Sequence, residues 1–157
     1  MANEETKKEI LATAEELIYQ NGLQHMTISE IAARASVADS VIYHYFKGKE
    51  DLVFSIAGVH FRQASLGLQE HLEGIVDPTS RLSKMIWFHL RYNQTHENYP
   101  RIWLFECRSN RNFYRHSAYQ MVRKYSGIPL AILADGVEQG VFRADVNMRV
   151  VRDLIMG

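Results

Sequence analysis

The chain has 157 residues, 46% of them apolar and 23% charged, with a formal net charge of zero and a single cysteine, Cys107. This is an ordinary globular composition, long enough for one domain or for a small head fused to a larger body. It excludes an internal disulfide, and the longest low-polarity stretch, Ile128 to Ala134, is far too short to span a membrane. The first eight residues are polar and acidic and lack the apolar core of a signal peptide. Together these features predict a cytoplasmic protein whose thiol stays reduced, with no membrane partner.

The apolar spacing is helical throughout, with no strand alternation and no internal repeat, so an all-α fold is expected. Thr6-Lys7-Lys8-Glu9 has the form of a capping box, and Ile10, Leu11, Ala14, Leu17 and Ile18 follow it as one apolar stripe. Asn21-Gly22 closes this first helix. A second capping box, Thr27 to Glu30, opens a short helix carrying Ile28, Ile31, Ala32 and Ala35. A third runs from Asp39 to about Phe46 and is broken by Lys47-Gly48. The fourth is long, from Lys49 to about Glu73, with Leu52, Ile56 and Val59 on one face and weak points at Gly58 and Gly67.

Asp77-Pro78 reads as a cap followed by proline in the first turn of a fifth helix, whose apolar face is Leu82, Met85, Ile86, His89 and Leu90. Asn98 opens a short helix to about Cys107. A long helix is expected from Asn112 to Gln139, kinked at Pro129 and closed by Gly140. The last helix begins at Asn147 and carries Val150, Val151, Leu154 and Ile155.

The stretch from Thr27 to Leu52 holds most of the functional information. Two short helices joined by a three- or four-residue turn have the geometry that sets the second helix in a DNA major groove. In that second helix Tyr43, His44 and Tyr45 stand side by side, and two turns of helix cannot bury all three. Their polar tips are therefore expected to meet phosphate or base edges. Lys49 opposes the helix dipole at its own first turn, an arrangement that a docked phosphate would offset. Thr27 both caps its helix and stands at a terminus that a phosphate could approach. Each residue also has an ordinary reading: a cap, a solvated lysine, half-buried tyrosines. Charge is a counterweight, because the first fifty residues carry five basic side chains against eight acidic ones, a net of −3. A rival reading is therefore a small-molecule-binding or scaffolding protein whose head contacts another protein.

Residues 6 to 52 resemble the DNA-binding head of TetR/AcrR-type transcriptional regulators. The resemblance is carried by Thr27, Ile31-Ala32, Ala35-Ser36-Val37, Ile42-Tyr43-His44-Tyr45-Phe46 and Lys49-Glu50-Asp51-Leu52. Three positions depart from the family pattern: Ser36 replaces the turn glycine, Ala38 a capping serine and Val41 a threonine. The resemblance implies a three-helix helix-turn-helix head, residues 1–48. A long fourth helix joins it to a helical ligand-binding and dimerisation body, residues 49–157. It implies phosphate contacts from Thr27, Tyr43, Tyr45 and Lys49, and base or methyl contacts from Ser40, Val41 and His44. It further implies a repressor that binds palindromic double-stranded DNA as a homodimer and is released by a small-molecule effector.

For that effector the body offers Trp87, Leu90, Trp103, Arg108 and Tyr119 as candidate contacts; the aromatics and Leu90 also read as plain core or dimer contacts, and Arg108 as part of a charged, solvated helix face. The segment Arg101 to Lys124 carries six basic residues against Glu106 alone, which suits a ligand with an apolar body and an anionic end, such as an acyl-coenzyme A. Glu106 to Asn110 and Gly136 to Gly140 are similar to family members that regulate fatty-acid degradation. The seven histidines form no metal constellation and no catalytic set stands out, so neither a metal, a cofactor nor an enzyme activity is expected. The signal is expected to pass mechanically along the helix starting at Lys49, spreading the two recognition helices of a dimer away from one DNA turn, ~34 Å. The stripe Val150, Val151, Leu154 and Ile155 has nothing after it in the chain to cover it. This predicts either a longer intact protein or a dimer built from this helix and the C-terminal half of the one ending at Gly140; the ordinary alternative is a stripe that folds back on its own body.

Overall fold

A computed structural model describes residues 3–157. They form eight α-helices in the order α1 (Glu4–Asn21), α2 (Ile28–Arg34), α3 (Asp39–Tyr45), α4 (Lys49–Leu72), α5 (Pro78–Thr95), α6 (Asn98–Ile102), α7 (Tyr119–Glu138) and α8 (Met148–Met156). A π-helical turn, Trp103–Cys107, continues α6, and a 3-10 turn, Phe113–Arg115, precedes α7. No strand occurs among the described residues. The expected all-α fold is what the chain adopts.

The residues fall into two compact units. One runs to His60 and takes in His96–Tyr119; the other comprises Phe61–Thr95 with Gln120–Gly157. In the first, the predicted stripe of α1 is buried in full, together with Met26, Ile31, Ala32, Ala35, Ile42 and Phe46. The first half of α4 adds Leu52, Val53, Phe54, Ile56 and Ala57. Val59 lies outside this buried face, so the expected Leu52–Ile56–Val59 stripe is corrected to a wider one. Phe54 meets Phe113 edge-on at 5.1 Å, and Trp103 meets the same ring at 5.7 Å. The second unit is built on Phe61, Ala64 and Leu68 of α4, Met85 and Phe88 of α5, and Val122, Tyr125, Ile132 and Leu133 of α7.

Several local expectations are revised. The α1 cap is Asn3, whose side chain accepts from the Glu5 amide at 3.3 Å, rather than Thr6, which lies inside the helix. The glycines of α4 do not break it but allow close approach: a Cβ at Gly58 would stand 2.9 Å from the Ala118 Cβ, and one at Gly67 3.0 Å from the Phe88 ring. The helix expected from Asn112 starts at Tyr119. His116 is itself extended and separates the 3-10 turn from α7; its Nδ1 accepts the Ala118 amide and its Nε2 therefore donates to Asp51, 2.7 Å away. On α5 only Pro78, Met85 and Phe88 are buried, and Leu90 is 57% exposed. Pro129 lies inside α7 and cannot donate to the Tyr125 carbonyl, as expected.

The turn between α2 and α3 shows what a missing glycine entails. Val37 N–H donates to the Ala32 carbonyl at 2.9 Å and Ser36 N–H to that of Ala33 at 3.3 Å, the bonding pattern of a Schellman ending. It requires a left-handed residue, and Ser36 takes φ 54°, alone among the described non-glycine residues in having positive φ. A Cβ in that region costs ~1–2 kcal/mol, part of which glycine gives back through unfolded-chain entropy. Ser36→Gly is therefore expected to stabilise the chain by about 0.5 kcal/mol, read as a higher urea midpoint at unchanged slope. A lower midpoint would show that the serine is not strained.

Candidate nucleic-acid interface and effector-binding body

The head begins with a cap. Thr27 Oγ1 accepts the Glu30 amide at 3.1 Å, so this side chain is engaged at the start of α2 while remaining exposed. Ala38 provides no side-chain cap for α3. Asp39 instead accepts from Ser29 Oγ at 2.5 Å, which ties the first turn of α3 to the first turn of α2 and fixes the angle between them.

Only Ile42 of α3 is buried. That anchors the helix on one side and turns Ser40, Tyr43 and His44, spaced i, i+3, i+4, outward as one face. Tyr43 is 58% exposed. Val41 and Tyr45 flank this face, half-buried. The Tyr45 hydroxyl donates to the Asn3 carbonyl at 3.0 Å, so it must exchange an internal partner to reach a phosphate. Of the seven residues expected to touch DNA, the structure brings Ser40, Tyr43 and His44 together on one exposed face. It sets Val41 and Tyr45 at its edge and leaves Thr27 and Lys49 at separate helix starts.

Lys49 borders an open cleft of about 690 Å³ with Lys47, Phe54, Arg115 and His116. The acids of this cleft are already engaged. Glu50 accepts from Asn110 at 2.8 Å and from Asn112 at 3.1 Å. Asp51 accepts from the Lys47 amide and from His116, each at 2.7 Å. Burial works against the Asp51 carboxylate, but the Lys47 amide and then His116 outweigh it and hold its carboxyl below the usual range. Lys47, Lys49 and Arg115 have no ion-pair partner among the described residues. The head's acidic sum thus hides a cleft in which Glu50 and Asp51 are engaged while Lys49 and Arg115 form no ion pair among the described residues. Sequence reading named Lys49 but missed Arg115 as a cleft residue, because its place depends on the fold returning residues 110–118 to the start of α4.

The five effector candidates separate. Trp87 and Leu90 lie on α5 in the second unit, both exposed; Trp87 sits 5.9 Å from His71, with Lys84 Nζ 4.8 Å over its ring. Trp103, Arg108 and Tyr119 lie in the first unit. Trp103 and Tyr119 both flank Phe113, and Tyr119 meets Tyr114 at 5.0 Å. Arg108 is exposed after the π turn, and its carbonyl accepts the Tyr114 hydroxyl at 2.6 Å. The stripe on α8 is open: Val150 and Leu154 are exposed, Leu154 at 79%, while Val151 and Ile155 are half-buried.

Fold and head together define a helix-turn-helix transcriptional regulator. Residues 10–56 match the bacterial regulatory proteins of the tetR family, and residues 76–157 match the tetracyclin repressor-like C-terminal domain. The chain belongs to the TetR family. It is 28% identical over 149 residues to the fatty acid metabolism regulator protein of Bacillus subtilis (strain 168), covering 95% of this chain and 77% of that one. It is 38% identical over 66 residues to the HTH-type transcriptional repressor BepR of Brucella suis biovar 1 (strain 1330), covering 41% of this chain and 32% of that one. Among solved structures it resembles the transcriptional regulator FadR from Bacillus subtilis in complex with stearoyl-CoA, with a TM-score of 0.85 and 28% identity over 96% of this chain and 81% of that one. These relatives are regulators rather than enzymes.

Proposed function

We propose that this protein is a cytoplasmic repressor that binds palindromic operator DNA as a homodimer and lets go when a long-chain acyl-coenzyme A occupies its body. Residues 1–48 read DNA, and residues 49–157 take the effector and the second subunit. The observation that carries the DNA reading is the outward face Ser40–Tyr43–His44 on a helix whose one buried residue is Ile42, together with a cleft in which Lys49 and Arg115 form no ion pair among the described residues. Ser40, Val41 and His44 meet base edges or a thymine methyl; Thr27, Tyr43, Tyr45 and Lys49 meet phosphates. The open stripe of α8 is the surface offered to the second subunit.

The effector class rests on the likeness to a regulator solved with stearoyl-CoA and on the basic run Arg101 to Lys124. Trp87, Leu90, Trp103, Arg108 and Tyr119 are the candidate contacts. An effector that favours the non-binding state by ~2–3 kcal/mol lowers operator affinity tens-fold. Displacement of α4, which supplies residues to both units, is the route by which the effector reaches the head.

The test is anisotropy with a palindromic duplex selected from a randomised pool, repeated across a salt series with and without stearoyl-CoA. Stearoyl-CoA is expected to release the duplex. Lys49→Ala is expected to weaken binding roughly ten-fold and to reduce the salt slope by about one, equally on selected and random DNA. Tyr43→Phe acts in the same direction and more weakly. Wild-type affinity for Lys49→Ala at low salt overturns the phosphate assignment.

A further inference from the structure

The fold returns one segment of the chain to the first turn of α4. Asn110, Asn112 and His116 come from the stretch between the π turn and α7, and all three donate to the two acids at the start of that helix. The Asn110 and Asn112 amides reach Glu50 at 2.8 and 3.1 Å, and His116 Nε2 reaches Asp51 at 2.7 Å. Arg115 lies among these donors in the chain and lines the same cleft as both acids. It forms an ion pair with neither. Two neutral amides and an imidazole occupy carboxylates that a guanidinium would otherwise take, and the Arg115 side chain is left exposed.

The backbone beneath it is held on both sides. The Arg115 amide donates to the Asn112 carbonyl at 3.1 Å, and the His116 amide to the Phe113 carbonyl at 3.0 Å, closing the 3-10 turn. Phe113 is fully buried against Phe54 and Trp103. The guanidinium therefore projects from a set point, so engaging it orders one side chain and no backbone.

The place of the cleft indicates the class of anion. Lys49, which shares the cleft, stands four residues past the end of α3, so the two are at most ~14 Å apart along the chain. A helix seated in a major groove ~12 Å wide has a sugar–phosphate chain along either side. A guanidinium suits that chain, because it can take two oxygens of one phosphate through parallel N–H bonds. Residues 108–118 carry three arginines and no acid, which sets positive charge on the same compact unit as the acidic head.

We propose that Arg115 contacts the DNA backbone, working with Lys49 as a phosphate clasp outside the helix-turn-helix. This rests on the DNA reading given above and extends it: the part of the chain that grips the duplex does not end at residue 48.

The full chain is measured by anisotropy on the selected duplex across a salt series. Arg115→Ala is expected to weaken binding roughly five- to ten-fold at low salt and to reduce the salt slope by about one. Arg115→Lys keeps the slope and recovers part of the affinity. Arg111→Ala removes the same charge from the same segment, but Arg111 does not line the cleft, and this variant is expected to stay within about two-fold of wild type. Equal losses in the two alanine variants would indicate a diffuse field and overturn the contact. Duplexes carrying one neutral methylphosphonate locate it: at one position in each half-site the replacement should weaken wild type and leave Arg115→Ala unchanged. If every position weakens both proteins alike, the assignment falls and the DNA reading stands. Stearoyl-CoA titrated into both proteins separates the effector's phosphates from those of DNA. Equal affinity is expected, and a loss confined to stearoyl-CoA overturns the proposal. Wild type that binds no duplex from the pool overturns the DNA reading, and this one with it.

Discussion

Ile42→Ala should abolish measurable operator binding while costing about 3 kcal/mol of stability, the usual price of truncating a fully buried isoleucine. The reason lies in how little else holds α3. The helix has seven residues, well below the length at which a helix stands alone in water. Ala38 gives it no side-chain cap. Ile42 is 0% exposed and is the only buried residue within it; Phe46 follows just past its end. Removing three carbons there leaves a cavity under the face that carries Ser40, Tyr43 and His44, and these residues lose their common orientation. Urea unfolding and anisotropy on the selected duplex measure the two effects together. Operator affinity within about two-fold of wild type, at a stability loss under about 1 kcal/mol, would mean that α3 is held by contacts other than this side chain.

Gly136→Val should lower the melting temperature by about 10 °C, corresponding to ~3 kcal/mol in a chain of this size. Gly136 is buried in the last turn of α7, and a Cβ there runs into the Phe142 ring. The ring has little freedom to yield. The Val141 and Phe142 amides both donate to the Gly136 carbonyl, at 2.8 and 2.9 Å, and Gly140, at φ 69°, turns the chain back onto the helix. A valine must therefore expel the ring into water or push α7 away from its neighbours. Combining it with Phe142→Ala separates these costs: the double variant should lose much less than the two single losses added together. A Gly136→Val protein that melts with wild type would show that the ring relocates freely.

The parts of this fold that were legible in the sequence are those set by local spacing. The stripe Ile10–Leu11–Ala14–Leu17–Ile18, the Thr27 cap, the break after Phe46 and the Asp77 cap, which accepts the Ser80 amide at 2.8 Å, each follow from neighbours within a few residues. The segment 112–118 was misread as helix because its conformation is decided at a distance. Asn110, Asn112 and His116 bind Glu50 and Asp51, some sixty residues earlier in the chain. The α1 cap was misplaced because Asn3 and Thr6 offer equivalent caps and only the start of the helix chooses between them. On α3 the residue types predicted outward rings, yet the pattern could not show that Tyr45 turns its hydroxyl to the Asn3 carbonyl. His89 was read as one member of an apolar stripe. Its spacing of four to Asn93 was visible, but Tyr125 joins them only through the packing of α7 against α5.

Cys107 closes the π turn, fully buried, and burial, then Glu106, push its thiol up to about 12. Only the thiolate attacks disulfide reagents, so in the closed state this sulfur is chemically silent. It is also the only sulfhydryl in the chain. Every event of thiol labelling in the folded protein therefore marks one excursion in which the segment Trp103–Cys107 opens. The protein carries its own clock for the breathing of that turn, readable without any engineered probe and comparable directly between the free, DNA-bound and ligand-bound states.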